Sequence, residues 1–388
     1  MITFQYILLH ILLFICFFYF SKKTYVSNEK YYWQYCLPCI IFFTIEEGFR
    51  WGRHIDWCLY YTYYELAAQG YSTNYEFIYK FLFESFSQIG IPYFIFIAVC
   101  SFIWVFSLCS FNKNFKNETS VFLVICLLWF TVLASNTARW FLGLSFALFA
   151  YSSLIQRKYK LFVVFILLTF GVHLMVGAIT LCTCFIIYNT KDKLIFIPQV
   201  VIFISIFLIL LFQVEYMSIL VDFLNAIFSK SDRFSHYLQD ADVWFLSFSD
   251  KAENSRKDVL TYLLLMIPFY IVIYFFYSFI IKNYEKRNYS WIYNMICIGV
   301  ILRSISSGFE LLQRIATYYD IFIVLGMSFL ISQKKYFKNY KVCYYILLLF
   351  ICYKGYVYIK PFESEKLMKY IWNDNLIDYK DAYEYLPR

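Results

Sequence analysis

The residues with the clearest chemical potential are carboxylates and basic side chains that crowd together directly after an apolar run. They are Glu46, Glu47, Arg50, Arg53, His54 and Asp56. Arginine presents a planar fork of donors that can bind phosphate through two hydrogen bonds, and a carboxylate can take a proton from a hydroxyl. Asp56 and Glu47 are therefore candidate general bases, while Gly48 and Gly52 would let the backbone turn or approach a ligand. A solvated loop with an aromatic belt is the alternative interpretation.

Two polar residues interrupt apolar stretches further along the chain. Arg139 stands in the first turn of a predicted helix, where a cation opposes the helix dipole. Together with the free amides of that turn it would make an anion site, unless it simply extends to the lipid headgroups. His173 lies between Gly171 and Gly177 in the apolar run 161–188. A lone histidine in such a run is more often a satisfied core residue, and a catalytic base is the alternative.

The segment 303–320 carries Arg303 and Arg314 with Glu310 between them. Glu310 and Arg314 have the i, i+4 spacing and the order that favour an ion pair on one helix. A structural pair would explain one of the two arginines, whereas an anion site would explain both. The sequence leaves both interpretations open.

The composition points to a membrane. The 388 residues are 62% hydrophobic, 24% aromatic and 15% charged, and the mean hydropathy is +0.59. Soluble domains are about half apolar and about a quarter charged. The composition therefore disfavours a soluble enzyme, a disordered chain and a nucleic-acid-binding protein, and predicts an integral membrane protein. The four histidines and twelve cysteines show no metal-ligand spacing, so no metal is expected.

Eleven apolar runs are candidate membrane helices, since about 20 helical residues cross a bilayer. They are 2–20, 31–45, 91–110, 119–135, 140–155, 161–188, 194–213, 259–281, 289–303, 317–332 and 341–359. The predicted fold class is an all-α polytopic integral membrane protein with about 10–12 transmembrane helices, including a pair of half-helices around His173. One membrane domain would span 1–359 and leave a C-terminal tail, 360–388, on the outer face.

The basic residues predict the orientation. With the N-terminus outside and the run 161–188 crossing out and back, the inner loops hold seventeen of the 34 basic residues, as the positive-inside rule requires. Fifteen of the seventeen are lysines, whereas eight arginines fall outside or at outer helix ends. Because the rule attracts either residue type, the outer arginines indicate a role in binding anions.

The predicted outer loops are 46–90, 214–258 and 303–316. The longest of them, 214–258, mixes carboxylates with Trp244, Phe245 and Phe248. This composition suits a lid over sugars, and a flexible connector would have a similar one.

The order of these segments resembles the EpsG family of polytopic exopolysaccharide polymerases, relatives of the Wzy-type O-antigen and capsule polymerases. The matching positions are Glu47, Gly48, Arg50, Gly52, Arg53, Asp56 and Tyr60; Tyr75 and Glu76; Arg139 with Ala147 and the segment 156–159; His173 with Ala178; and Gln313, Arg314, Ile315 and Tyr318. The resemblance covers residues 1 to about 335. Phe77 and Trp140 depart from the family pattern, which often has proline and glutamine there.

The resemblance implies a multi-pass glycosyltransferase of the bacterial inner membrane. It would act at the periplasmic or outer face on undecaprenyl-diphosphate-linked oligosaccharide repeat units, without a cofactor. The implied roles are catalytic bases (Asp56, Glu47, His173), diphosphate ligands (Arg50, Arg53, Arg139, Arg303, Arg314) and sugar contacts (Tyr60, Glu76, Glu310, Tyr318). The expected partners are this lipid-linked substrate and membrane lipids, with a chain-length regulator as a further candidate and no nucleic acid.

Three other activities are compatible with the same composition. A flippase for the lipid-linked sugar would need charges deep along a two-sided cavity, whereas the arginines lie at outer helix ends. A membrane acyltransferase would favour a His-Asp pair near the inner face, and the inner loops contain no histidine. An O-antigen ligase shares the chemistry of the site and stays an alternative.

Overall fold

The computed structural model describes residues 2–52, 55–191, 197–211, 264–282, 289–305, 310–359 and 369–373. The helices are α1 (Ile2–Val26), α2 (Tyr32–Gly48), α3 (Ile55–Ala68), α4 (Phe77–Gln88), α5 (Tyr93–Lys113), α6 (Phe122–Asn136), α7 (Ala138–Ile155), α8 (Tyr159–Val172), α9 (Leu174–Thr190), α10 (Gln199–Leu211), α11 (Leu264–Lys282), α12 (Ser290–Ile305), α13 (Glu310–Ser332) and α14 (Lys341–Ile359). Two short strands, β1 (Arg50–Trp51) and β2 (Lys369–Tyr370), pair antiparallel.

The predicted all-α polytopic class is confirmed. Within the described ranges, six helices are long and apolar enough to cross a membrane: most of α1, all of α5, α7, α11 and α14, and Arg314–Ser332 of α13. Shorter apolar helices of 10–17 residues come from α6, α8, α9 and α12. Among these, α6 and α12 are largely buried, as expected of short apolar helices inside a bundle, whereas α8 and α9 expose apolar side chains such as Leu167 and Phe185. The orientation in the membrane stays a prediction.

The chain divides into two compact units. The first comprises Met1–Tyr188, Ile331–Lys338 and Tyr344–Arg388, and the second comprises Asn189–Leu330 and Asn339–Cys343. The predicted loop 214–258 and most of the tail 360–388 lie outside the described residues.

Small side chains set the packing of the first unit. α7 is buried along nearly its whole length against α5 and α8, and its small residues Gly143, Ser145 and Ala147 permit close helix approach. At the end of α2, a Cβ built on Gly48 would lie 2.6 Å from the Ala98 Cα of α5. Only glycine fits at that crossing. The α2 helix therefore runs three residues beyond the predicted run 31–45, and its last turn carries Glu46 and Glu47.

The predicted loop 46–90 contains two helices, α3 and α4, that the hydropathy of the sequence did not reveal. They pack on each other and on α5 through the residues we call the aromatic cluster: Trp57, Tyr61, Tyr64, Tyr79, Phe83, Tyr93 and Phe96. Edge-to-face ring pairs run through it, for example Tyr64 on Phe83 at 5.1 Å between centroids. The aromatic residues of this segment thus build a rigid platform in the first unit.

In the second unit, α12 and α13 pack through two glycines. A Cβ on Gly299 would lie 2.7 Å from the Tyr319 Cβ, and one on Gly326 would lie 2.6 Å from the Ile296 Cδ1. The Asn294 side chain of α12 accepts a hydrogen bond from the Ile197 amide at 3.1 Å, just before α10. These contacts fix the two helices that carry the predicted site residues of segment 303–320.

Candidate active site

The run 161–188 divides at His173, as predicted. α8 ends at Val172, His173 has an extended backbone (φ −157°, ψ 108°), and α9 begins at Leu174. A Cβ built on Gly177 would lie 2.9 Å from the Phe170 Cα. Residues seven apart in one continuous helix are about 10.5 Å apart along its axis. The two helices therefore meet in a sharp bend, which Gly177 makes possible.

The start of α7 lies beside this bend. A Cβ on Gly143 would lie 3.3 Å from the His173 Cβ and 3.2 Å from the Val176 Cγ2. Arg139 precedes Gly143 by four residues and therefore lies on the same face of α7, one turn earlier. The sequence-predicted residues Arg139 and His173 are thus brought together.

Glu76 joins Arg139 to the bend. Its Oε2 accepts a hydrogen bond from Arg139 Nη1 at 2.9 Å, and its Oε1 lies 3.4 Å from the Leu174 amide at the start of α9. The two side chains are 23% and 15% exposed. Glu76 precedes α4, but its side chain does not cap that helix. The cation at the start of α7 is therefore compensated by a carboxylate from another segment of the chain.

Tyrosine rings surround the ion pair. The Arg139 guanidinium carbon lies 4.9 Å from the centre of the Tyr75 ring, a cation–π distance. Tyr60 lies 5.9 Å from Tyr75 and 6.3 Å from Tyr79, measured between ring centres. Tyr79 is fully buried, and its hydroxyl has no hydrogen-bond partner among the described residues. The site thus combines Arg139 with the neighbouring rings of Tyr60, Tyr75 and Tyr79.

Asp56 belongs to the same neighbourhood. It lies in the first turn of α3 and is partly exposed. Burial is the main reason why the pKa of the Tyr75 hydroxyl is raised above its usual value; Tyr60 and Asp56 raise it further, and Arg139 opposes them. Asp56 precedes Tyr60 by four residues on α3 and therefore lies on the same face of that helix as the ring that neighbours Tyr75.

Glu47 and Arg50 form a buried turn instead of an open site. Arg50 Nε lies 3.2 Å from Glu47 Oε2 and donates to the Glu47 carbonyl at 2.9 Å. Arg50 Nη1 donates to the Gly52 carbonyl at 3.4 Å, and Gly52 has a positive φ of 86° that suits glycine. Arg50 is 2% exposed. Its predicted contact with a diphosphate, and the role of Glu47 as a base, stay predictions.

A small cavity of about 20 Å³ adjoins this turn, enough for about one water molecule. Glu47 and Arg50 line one side of it, and Ala134 and Ala138 line another. Ala138 directly precedes Arg139. The buried turn and the start of α7 therefore share one cavity, although they belong to distant parts of the sequence.

Behind the turn lies a buried polar group formed by His10, Glu46 and Tyr370. The Tyr370 hydroxyl donates to Glu46 Oε1 at 2.8 Å. His10 Nδ1 lies 3.0 Å from the same oxygen and 3.1 Å from the Tyr6 carbonyl, so a proton on Nδ1 suits both acceptors. His10, Glu46 and Glu47 each place one potential metal-ligand atom within 4.8 Å of the others. The sequence did not suggest this group, because its members come from three distant segments.

In the second unit, Arg303 forms an ion pair with Asp320 and lies 5.5 Å from the Phe269 ring centre. Asp320 is buried, whereas Arg303 is partly exposed. Arg314 is exposed and Tyr318 is buried. The Glu310 side chain lies outside the described residues, as do Arg53 and His54. The partner of Arg303 thus comes from the next helix, at a separation that no local spacing rule reveals.

The first unit therefore assembles four predicted site residues, Tyr60, Glu76, Arg139 and His173, with Asp56 nearby. It also adds Tyr75, which the sequence marked only as the neighbour of Glu76 in a family motif. The sequence signal that could have identified Tyr75 is its position directly before Glu76, the residue that precedes α4. The roles of all these residues stay predictions.

Comparison with known proteins gives one match. The model of the EpsG family matches residues 32–372. No curated protein and no solved structure matches the chain.

Proposed function

Because the chain belongs to the EpsG family, whose general role is that of a polysaccharide polymerase, we propose a specific polymerase reaction for it. The protein would join undecaprenyl-diphosphate-linked glycan repeat units into exopolysaccharide, capsule or O-antigen. The donor substrate would be a growing glycan on its diphosphate lipid, and the acceptor would be a sugar hydroxyl of the next unit. The reaction would take place at the outer face of the inner membrane.

The observation that carries this proposal is the partly exposed Arg139 at the bend of α8 and α9. One guanidinium, the start of a second helix and several tyrosine rings converge there from three segments of the chain. Arginine and a helix start favour the phosphate groups of the donor. Aromatic rings and nearby carboxylates suit the faces and hydroxyls of sugars.

In the proposed reaction, the acceptor hydroxyl oxygen attacks the anomeric carbon of the donor and forms the new glycosidic bond. The bond between that carbon and the diphosphate oxygen breaks, and its electron pair leaves with the diphosphate. Arg139 stabilises the charge that develops on this oxygen. The diphosphate leaves as an anion and needs no proton, so one base is enough, in contrast to the two carboxylates of a glycosidase.

Asp56 is the base that we propose, and it takes the hydroxyl proton. It is partly exposed and lies one turn before Tyr60 on α3, on the side of the helix whose rings neighbour Tyr75. Glu47 is less suited because it is 3% exposed and paired with Arg50. His173 is the alternative base, because its position beside α7 also borders the site.

The proposed outer location is supported by the two ends of α7. Arg139 lies in the first turn, and Arg157 and Lys158 follow its last residue, Ile155. Eighteen helical residues span about 27 Å, close to the thickness of a bilayer core. Gln156 also hydrogen-bonds Asn114, next to Lys113 at the end of α5, at 2.9 Å. The basic residues therefore cluster at the end of α7 opposite to Arg139, as the positive-inside rule expects if Arg139 faces outward.

The test is a gel of surface and lipid-linked glycans from cells that lack the gene and are rescued with variants. We expect Arg139→Ala and Arg139→Lys both to lose the long ladder, because lysine cannot replace a bidentate guanidinium. Arg157→Lys at the opposite end of α7 is the matched control and should restore the ladder. A full ladder from Arg139→Lys would contradict the proposed role. Accumulation of single repeat units on the cytoplasmic side would indicate a flippase instead.

A further inference from the structure

Glu76 occupies the position that an anionic ligand of Arg139 would take. Its two oxygens are both engaged, one with Arg139 Nη1 at 2.9 Å and the other with the Leu174 amide at 3.4 Å. A guanidinium and the first amide of a helix are the donors with which proteins hold phosphate. The carboxylate of Glu76 is thus bound as a substrate anion would be bound.

The site has more capacity for anions than Glu76 uses. Arg139 Nε is buried and has no hydrogen-bond partner among the described residues. Together with Nη2 it forms the second edge of the planar guanidinium, opposite to the Nη1 group that Glu76 engages. A diphosphate has oxygens enough to fill both edges, whereas one carboxylate fills one.

The helix starts add to the positive charge that Glu76 faces at this site. The starts of α7 and α9 meet here, and each helix start carries about half a positive charge. The Thr137 hydroxyl donates to the Leu133 carbonyl and does not cap α7. Arg139 adds a full positive charge. The carboxylates of Glu76, in this ion pair, and of Asp56, near Tyr60, oppose it, so a diphosphate gains most from this charge when it displaces Glu76.

Glu76 can leave Arg139 without breaking a capping hydrogen bond of its own helix. Its side chain makes no cap hydrogen bond to α4, and the pair is 23% and 15% exposed, so a ligand can reach it. The backbone carbonyl of Glu76 continues to accept from the Lys80 amide at 2.8 Å whatever the side chain does.

From these contacts we infer that Glu76 is a displaceable counter-anion, which yields Arg139 to the diphosphate of the incoming substrate and returns to help release the undecaprenyl diphosphate product. The inference rests on the proposed function and adds the way in which the same site empties after each transfer. It gives Glu76 a role different from the sugar contact implied by the family resemblance.

The direct test uses inorganic pyrophosphate as the probe and the full-length protein in phosphatidylcholine nanodiscs, with titration calorimetry as the readout. Glu76→Gln keeps the shape of the side chain and removes the competing charge. We expect it to bind pyrophosphate at least about fivefold more tightly than the wild type, the effect of one partly exposed ion pair. Equal or weaker binding by Glu76→Gln would overturn the inference.

Glu84→Gln is the matched control, because Glu84 also lies on α4 but accepts hydrogen bonds from Thr73 instead of an arginine. It should bind pyrophosphate like the wild type. In the double variant Glu76→Gln/Arg139→Ala the gain in affinity should disappear. A gain that persists without Arg139 would place the anion elsewhere and would also overturn the inference.

Steady-state kinetics with a lipid-linked repeat unit give a second readout, which distinguishes the proposed role of Glu76 from a purely structural one. Glu76→Gln should lower KM and also lower kcat, because substrate binds more tightly and product leaves more slowly. A lower kcat with a raised KM would contradict the inference. A different experiment tests the proposed function itself: a full ladder from Arg139→Lys would contradict that function, whatever the affinity of Glu76→Gln for pyrophosphate.

Discussion

Gly177 faces Phe170 so closely that a Cβ on the glycine would lie 2.5 Å from the Phe170 Cγ and 2.9 Å from its Cα. Gly177→Ala is therefore expected to push α8 and α9 apart at His173. Overpacking of this kind costs about 1–3 kcal/mol, and we expect a lower melting temperature and a shorter glycan ladder.

Gly355→Ala on α14 is the control for that variant, because its nearest neighbour, Leu128, would lie 3.8 Å away. It should leave both readouts unchanged or raise the melting temperature slightly, since alanine favours helix by about 1 kcal/mol over glycine. If Gly177→Ala behaves in the same way, the tight bend is not required.

The buried Glu47–Arg50 pair is expected to show strong coupling. Arg50→Met would leave the Glu47 carboxylate buried without its guanidinium, at a cost of about 3–5 kcal/mol. Glu47→Gln in the same chain should recover a large part of that loss. Denaturation of the single and double variants in detergent measures the coupling energy, and simple additivity would contradict the pairing.

Asp56→Asn is expected to lower kcat by about 100-fold or more, because general-base catalysis contributes at least that much. In the wild type, kcat/KM should fall as the pH drops and the base becomes protonated, and this acid limb should vanish in Asp56→Asn. His173→Gln should keep the limb and most of the rate. The reverse pattern would assign the base to His173.

Tyr370→Phe removes the hydroxyl that donates to buried Glu46 at 2.8 Å and keeps the ring that stacks on Trp372. A lost hydrogen bond to a charged group costs about 1.5–3 kcal/mol, so the melting temperature should fall. Tyr353→Phe, at a 52% exposed position of α14, is the matched control and should have no effect. Equal melting temperatures for the two variants would show that the Tyr370 hydroxyl adds no stability.

Much of the fold follows from local features of the sequence. Long apolar runs predict the membrane helices, and Gly171, His173 and Gly177 together mark the bend, because each weakens a helix in lipid. The helices α3 and α4 were not predicted, since their tyrosine-rich segments follow charged residues and resemble an interfacial loop with an aromatic belt. These helices are held in place by packing between aromatic rings of different segments, and such contacts cannot be predicted from composition.

The sequence predicted several residues of the candidate site, but it did not predict which of them contact each other. The resemblance names Glu76 and Arg139, yet the two residues are 63 positions apart. They come together because α4 and α7 both pack on α8. The predicted pair of Glu310 and Arg314 stays a prediction, because the Glu310 side chain lies outside the described residues. Asp320, the partner of Arg303 in the second unit, was not suggested by the sequence. Long-range partners depend on how helices cross, which spacing along one helix cannot convey.

The hydrogen bond between Tyr370 and Glu46 joins residues that are 324 positions apart, and this has a consequence for biosynthesis. The ribosome releases α1 and α2 long before the strand that pairs with Arg50 has been made. Until then, the Glu46 carboxylate lacks one of its donors, and the turn that holds Arg50 lacks its partner strand. The polymerase can therefore enter the membrane helix by helix, but this part of it is completed only when residue 370 has been translated.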